Sequence, residues 1–517
     1  MVSNPSDTTG AALNASRRRR ELTALGDDPT VDLLVVGGGV TGVGVALDAA
    51  TRGLRTLLVE RNDLAHGTSR WSSKLVHGGL RYLASGRVGI AYESAVERGI
   101  LLRRNAPHLV RPLPQLVPLL PDIGLSSRAL IRTGVLAGDL LRAGARTSGS
   151  LLPRSRRVTR AEALRLAPTV RRDGLRGGLQ AWDGQLVDDA RLVVALARTA
   201  AARGATVLTR VAAEAVTGEG ATLRDTRTGE TLTVRAGAVI NATGVWADQV
   251  DPSIELRPSR GTHLVFDAAA FGGLTAALTI PVPGSVGRFV FALPAPHNRV
   301  YLGLTDQDAP GPVPDEPGPT PGEIDFLLDT VNTVVRIPLT HSDIRGSYAG
   351  LRPLLRTGGD STADISREHA VLTSPSGVIT VVGGKLTTYR KMAQDALDTA
   401  VAHARLTAGP CRTTDLPLAG AVAGAARDHL LAPQLLIERY GAEAPAVATL
   451  AATDPELATP VAPGSDVLAA EFAWSLTQEG ALDAGDLLDR RTRIGLVPDD
   501  RAAARATAEA MVAAYSE

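Results

Sequence analysis

Four short segments of this chain gather cations, imidazoles and phenols of the kind that hold an anion and move a proton. SSKLVHGGLRYL brings Lys74, His77, Arg81 and Tyr82, and YAGLRPLL brings Tyr348 and Arg352. ISREHAV brings Arg367 and His369, and GGKLTTYRK brings Lys385 and Arg390. A phosphate or carboxylate substrate requires planar arginine forks and a lysine point charge. Arg352 lies between Gly350 and Pro353 in an apolar run, where a charge is costly without a partner. His77 has an ordinary pKa suited to a general base, and Lys385 would serve if burial lowered its own. The residues leave the choice between them open, with His77 preferred.

A second set binds rather than reacts. Val31–Glu60 reads as strand, glycine turn, helix and strand, and ends on an acid. Gly37, Gly39 and Gly42 form G-x-G-x-x-G: Gly37 for the tight turn, Gly39 for close approach of a pyrophosphate, Gly42 for helix packing on the strand. The helix N-terminus favours the phosphate charge. Glu60 can accept hydrogen bonds from both ribose hydroxyls and would repel a 2′-phosphate, which argues against NADP. Two further apolar strands run into glycine turns, VINATGVWAD with Gly244 and ITVVGGKLTTYRK with Gly384. A simple NAD dehydrogenase needs one such turn. Three strand ends converging on one crevice suit a longer cofactor, FAD. The helix after Gly384 would aim its positive end at the negative edge of a reduced flavin.

The elements that must position these groups read as α/β. Strands alternate with helices in front, the middle is mostly antiparallel, and the pattern after about residue 408 is helical. Asp188–Arg203 reads as a helix with acids in its first turn, and Thr320 to Glu323 has capping-box spacing with Pro321 at the first helical position. Residues 1–29 read as a disordered, polar N-terminal arm without the apolar core of a signal peptide. With 55 Lys+Arg against 54 Asp+Glu, no global field points to nucleic acid, and the single Cys411 excludes an intrachain disulfide and any multi-cysteine metal site. No metal is expected. No apolar run is long enough to span a bilayer. Residues 125–160, however, carry eight arginines against Asp139 alone, around the apolar stretch ALIRTGVLAGDLL. That pattern suits monotopic attachment to an anionic lipid surface, and a solvated basic helix face fits the same residues.

The segments GGGVTGVGVALDAATRGL, SRWSSKLVHGGLRYL, LVDDARLV, VINATGVWAD, YAGLRPLL and VVGGKLTTYRKMAQDAL, in this order over about residues 31–400, resemble the FAD-dependent glycerol-3-phosphate dehydrogenase family. The DLLDRRTRIGL segment resembles that family's C-terminal domain. The resemblance implies a glutathione-reductase-like FAD-binding Rossmann domain, discontinuous over 30–400, with an inserted, mainly antiparallel β substrate domain at about 110–170 and 255–345. A C-terminal helical domain at 405–517 would follow. It implies oxidation of sn-glycerol 3-phosphate to dihydroxyacetone phosphate, with electrons passed to membrane quinone, by a peripheral protein on the cytoplasmic face of the cell membrane. Carried over residue by residue, substrate contacts fall on Arg81, Tyr82, Arg352, Arg367 and Lys385. Pyrophosphate and adenosine contacts fall on Gly37, Gly39, Gly42 and Glu60. Flavin-facing positions fall on Thr68, Ser69, Ser73, Lys74, Leu75, His77 and Gly78, and on Gly384, Leu386 and Thr387. In that frame His77, Arg352 and Lys385 would be catalytic, with Arg352 stabilising a developing alkoxide. Three readings compete: an oxygen-using glycerol-3-phosphate oxidase, an amine or amino-acid oxidase on the same fold, and a non-catalytic FAD-binding regulatory protein. The oligomeric state stays open, a homodimer included.

Overall fold

The computed structural model describes residues 10–79, 87–121, 125–285, 287–356 and 368–515, with backbone only for residues 125–130. Among them, two sheets share the work. The first has the strand order His369–Thr373, Ile379–Gly383, Thr231–Asn241, Thr30–Val36, Thr56–Glu60, Thr206–Thr209. All neighbours are parallel except the first pair. Residues 33–36, 57–59, 238–240 and 379–382 of its strands are near-continuous apolar runs, because both faces of the sheet are covered there. On one face lie the helices Val40–Thr51, Asp189–Ala202 and Tyr389–Ala404, forming a core around Val43, Leu47, Leu196 and Ala393. On the other lies the hairpin Val211–Thr217/Gly220–Asp225, with Leu34, Leu57 and Leu223 between.

The three strands that end in glycine turns, Thr30–Val36, Thr231–Asn241 and Ile379–Gly383, are immediate neighbours. Their C-terminal ends therefore open side by side, although some 340 residues of chain separate the outer two. The first turn is fixed by packing. Gly37 has φ +112°, and a Cβ there would lie 2.7 Å from the Ala242 carbonyl oxygen. A Cβ at Gly42 would overlap the Gly37 carbonyl itself, so only glycine lets this helix approach the strand.

The second sheet is mostly antiparallel and runs from Leu75–Val76 through Gly178–Leu186, Val110–Pro118, Ala277–Pro281, Phe289–Ala295, Arg299–Gly303 and Ser259–Asp267, with Gly346–Arg352 paired to Ser259–Asp267. It extends past the expected segments at both ends: Leu75–Val76, Gly178–Leu186 and Gly346–Arg352 belong to it as well. Ile131 of the helix Leu125–Gly144 packs against Val117 and Leu179 of this sheet, and Pro321–Asn332, with its Thr320/Glu323 capping box, packs on the core that holds Leu116 and Leu278.

The expectation of a disordered arm over residues 1–29 is corrected for the described part. Ala15–Asp27 is a helix capped by the Asn14 side chain. Leu25 is buried in the first sheet's core, and Arg18 forms an ion pair with Asp225 at 2.9 Å. Leu13 exchanges backbone hydrogen bonds with Gln478 and Gly480. A polar, arginine-rich segment can thus be ordered when some of its guanidinium groups, here Arg17 and Arg18, find backbone carbonyls and carboxylates, which composition alone does not reveal.

The C-terminal helices, Gln434–Tyr440, Ala444–Thr453, Ala469–Gln478 and Pro498–Tyr515, hold their own core around Phe472, Leu487 and Trp474. They are tied to the first domain by buried ion pairs: Asp63 with Arg490 (2.7 Å) and Arg491 (2.8 Å), Arg191 with Glu479 (2.6 Å), Asp188 with Arg493 (3.1 Å). Such pairs hold only while complete, because removing one partner leaves a buried charge.

Candidate active site

A cavity of about 980 Å³ runs from the first glycine turn to the face of the second sheet. Gly37, Gly39 and Glu60 stand at one end, Gly244, Gly384, Leu386 and Thr387 farther along, and Thr68, Ser69, Ser73, Leu75, His77, Arg352 and Lys385 on the wall between the sheets. Glu60 ends its strand with Oε2 accepting from Gly38 N–H and Oε1 from Asn62 N–H, both at 2.7 Å. Burial pushes its carboxyl up from the ordinary value, and those two donors oppose the rise. Ser69 Oγ accepts from Val40 N–H at 2.9 Å at the start of the glycine helix. Thr68 Oγ1 donates to Leu351 O at 2.6 Å, tying this turn to the strand that carries Arg352.

The cationic wall is more heavily paired than the sequence suggested. Arg352 donates to Ser259 Oγ (3.1 Å), Thr305 O (3.3 Å) and Asp306 (3.3 Å), so Asp306 is the partner its apolar setting demanded. Lys385 Nζ donates to Ser94 Oγ at 2.9 Å. His77 reaches the cavity with Nδ1 accepting from Gly79 N–H at 3.3 Å. Arg81, Tyr82 and Arg367 lie outside the described residues.

Other expected site residues face elsewhere. Lys74 does not present its side chain to the cavity: it is 1% exposed and paired with Asp189 at 3.2 Å. Gly78 donates its N–H to Asp183 and packs under Arg98. Gly42 acts through helix packing. Arg390 is held by Glu97 at 2.5 Å and His369 by Asp395 at 2.9 Å, so both serve the fold.

One wall residue escaped sequence reasoning. His263 lies on the strand beside Tyr348, buried, with Nε2 2.8 Å from Ser73 Oγ and Nδ1 without a hydrogen-bond partner. Burial, with Lys74 and Arg352 adding to it, holds the imidazole well below its ordinary value, so it is neutral. His263 sits in THLVF, which reads simply as strand; only its cross-strand pairing shows that it meets the cationic set. His66, whose ring stacks on Trp246, is likewise held down to about 4 by burial, with Arg70 and Arg490 adding.

Three parallel strand ends, a helix N-terminus at a glycine turn, an acid at the end of the next strand and a long cavity that they line fit an FAD. These features define a flavin-dependent oxidoreductase. The family model described as FAD dependent oxidoreductase matches residues 32–390, and that described as the C-terminal domain of alpha-glycerophosphate oxidase matches 411–516. Glycerol-3-phosphate dehydrogenase 1 of Mycobacterium tuberculosis is 62% identical over 498 residues, covering 95% of this chain and 96% of that one. The mitochondrial glycerol-3-phosphate dehydrogenase of Arabidopsis thaliana is 34% identical over 549 residues, covering 96% and 84%. The crystal structure of the glycerol-3-phosphate dehydrogenase from Bacillus halodurans complexed with FAD superposes with a TM-score of 0.73 at 28% identity, covering 97% and 94%. The chain belongs to the FAD-dependent glycerol-3-phosphate dehydrogenase family.

Proposed function

We propose that this protein oxidises sn-glycerol 3-phosphate to dihydroxyacetone phosphate, with FAD as hydride acceptor and membrane quinone as the final electron acceptor. The observation that carries the reading is the Ser73–His263 pair near Arg352, on the wall of the cavity that Lys385 and the three glycine turns also line. Lys385 and Arg352, with Arg81, Tyr82 and Arg367 assigned by resemblance, hold the phosphate and orient the C2–H bond. The C2 hydroxyl meets the Ser73–His263 pair, and neutral His263 takes its proton as hydride leaves C2. Arg352, already balanced by Asp306, stabilises the developing alkoxide. His263 is preferred to His77 because it is a buried neutral imidazole already hydrogen-bonded to a hydroxyl at Nε2. When bound, FAD supplies the hydride-accepting ring.

Anaerobic addition of glycerol 3-phosphate should bleach the flavin spectrum. In stopped flow, His263→Asn should slow that bleaching by about 10²–10⁴-fold. If His77→Asn slows it instead and His263→Asn does not, the base is His77. If glycerol 3-phosphate does not bleach the spectrum, the proposal falls.

Support for a quinone acceptor comes from the roof of the cavity. Ile131, Val135 and Ala137 of the helix Leu125–Gly144 line it, as do Val117, Leu179, Phe289 and Phe291. Leu136 and Leu140 on the same helix are exposed, with Val88 and Tyr92 exposed on the helix Val88–Ile100 that it contacts. An apolar acceptor can approach the cavity along such a surface, docked peripherally on anionic lipid at the inner face of the cell membrane. No helix among the described residues is long and apolar enough to cross a membrane. Stoichiometric peroxide formation under air, without quinone reduction, would make the protein an oxidase.

A further inference from the structure

Lys74 is unexplained by the chemistry above. It is a buried cation, adjacent in sequence to wall residue Ser73, in a left-handed backbone conformation (φ +56°) that a lysine rarely adopts. Its Nζ donates to Arg70 O (3.2 Å) and Ser72 O (3.0 Å) and lies 4.4 Å over the Tyr348 ring. That ring stacks on the His263 imidazole, with centroids 4.7 Å apart and planes 11° from parallel. Asp189, completely buried, pairs with Lys74 at 3.2 Å and accepts from Ser72 N–H (2.9 Å) and Ser72 Oγ (2.7 Å). Arg493, from the C-terminal domain, closes the cluster at 4.0 Å from Asp189 and 3.1 Å from Asp188.

We propose that Lys74 is a positioning residue for His263: a buried ammonium, fixed by Asp189 and Arg493, that holds the ring plane of the imidazole through Tyr348 and adds to burial in keeping it uncharged. The proposal rests on the reading of His263 as the proton acceptor.

Two things follow from the geometry. The Lys74–Tyr348 cation–π contact and the Tyr348–His263 stack hold the imidazole in one plane, so that Nε2 points at Ser73. The ammonium also disfavours a second positive charge at His263. The charged and titratable groups around His263 are Lys74 from the 71–76 segment and Arg352, balanced by Asp306, and Tyr348 from the paired strand. Tyr301, from the next strand, meets the Tyr348 ring edge-on. Burial pushes the Tyr301 phenol up to about 12 and Tyr348 well above its ordinary value, so both stay neutral. Burial brings Lys74 down to about 8 against the pull of Asp189, which leaves it a cation at neutral pH. Burial first, and then the two cations Lys74 and Arg352, keep His263 unprotonated before the substrate arrives.

The test is the pH dependence of the limiting rate of flavin reduction at saturating glycerol 3-phosphate, measured on holoenzymes with intact visible spectra. In the wild type the acid limb should lie below pH 6.5, the ordinary histidine value. Lys74→Met should move it upward by about one pH unit. Lys74→Arg, which keeps the charge, should leave it in place. A wild-type limb at or above the ordinary histidine value overturns the proposal without recourse to any variant. An unmoved limb in Lys74→Met overturns it too, provided that His263→Asn slows reduction to the extent given above. If His263→Asn reduces normally, it is the base assignment that fails.

Discussion

The sharpest test of the cofactor site is Glu60→Gln. Both carboxylate oxygens already accept a backbone N–H at 2.7 Å, from Gly38 and Asn62, and each oxygen keeps one further lone pair for a ribose hydroxyl. An amide cannot do the same, because its nitrogen is a donor. One of the two N–H groups then faces another donor. Water can reach that orphan in the free protein but not beneath a bound adenosine, so the cost of about 1–3 kcal/mol appears in binding. Replacing charge-assisted by neutral hydrogen bonds to the ribose adds about 1 kcal/mol. The sum corresponds to FAD binding weaker by roughly 30- to 700-fold. Apoprotein titrated with FAD and followed by flavin fluorescence measures this directly, and FMN, which lacks the adenosine, is the control. FAD affinity within threefold of the wild type would refute the assignment. A parallel loss of FMN affinity would show that Glu60 acts through the fold instead.

Gly42→Ala should cost at least about 3 kcal/mol, since the new Cβ meets the Gly37 carbonyl; the flavin-to-protein absorbance ratio of purified protein should drop sharply. Burial alone would raise the Asp63 carboxyl, but Arg491 and Arg490 overcome it and hold it far below its ordinary value of 3.8. Its stabilising effect is therefore full above that value and lost as the pH falls beneath it. Asp63→Asn should lower stability to urea at pH 7 by about 3–5 kcal/mol and flatten the acid dependence below pH 4, and an unchanged midpoint would refute the role. Leu136→Asp with Leu140→Asp should abolish flotation with anionic liposomes while anaerobic bleaching by glycerol 3-phosphate stays normal.

Local rules carried the nucleotide end of the molecule. Gly37, Gly42 and Glu60 act within one strand–helix–strand unit, so their spacing predicts their geometry. The convergence of the three glycine turns was also readable, because parallel strands of one sheet must end on the same side. The second wall was harder. His263 has no signal of its own, and the role proposed for it depends on pairing with Tyr348, 85 residues away. Lys74 and Ser73 are neighbours in the same motif, yet one is buried behind the wall and the other lies on it. A motif match cannot separate them, because the separation comes from the turn of the backbone at Lys74. Arg390 and His369 read as anion-binding candidates for the same reason, and each is hydrogen-bonded to a carboxylate from elsewhere in the chain, Glu97 and Asp395.

The bond between Leu13 and the Gln478–Gly480 segment has a consequence for how the chain is made. Residues near the start leave the ribosome first, yet their hydrogen-bonding partners come almost last. At about 5–20 residues per second, roughly 25–95 s of synthesis separates them. The central strand Thr30–Val36 waits in the same way for Thr231–Asn241, and that strand in turn for Ile379–Gly383. Until then a strongly apolar strand has an open edge. The nascent protein thus has a long window of exposure to aggregation and to proteases, and it should depend on chaperones more than a protein whose neighbours in space are neighbours in sequence.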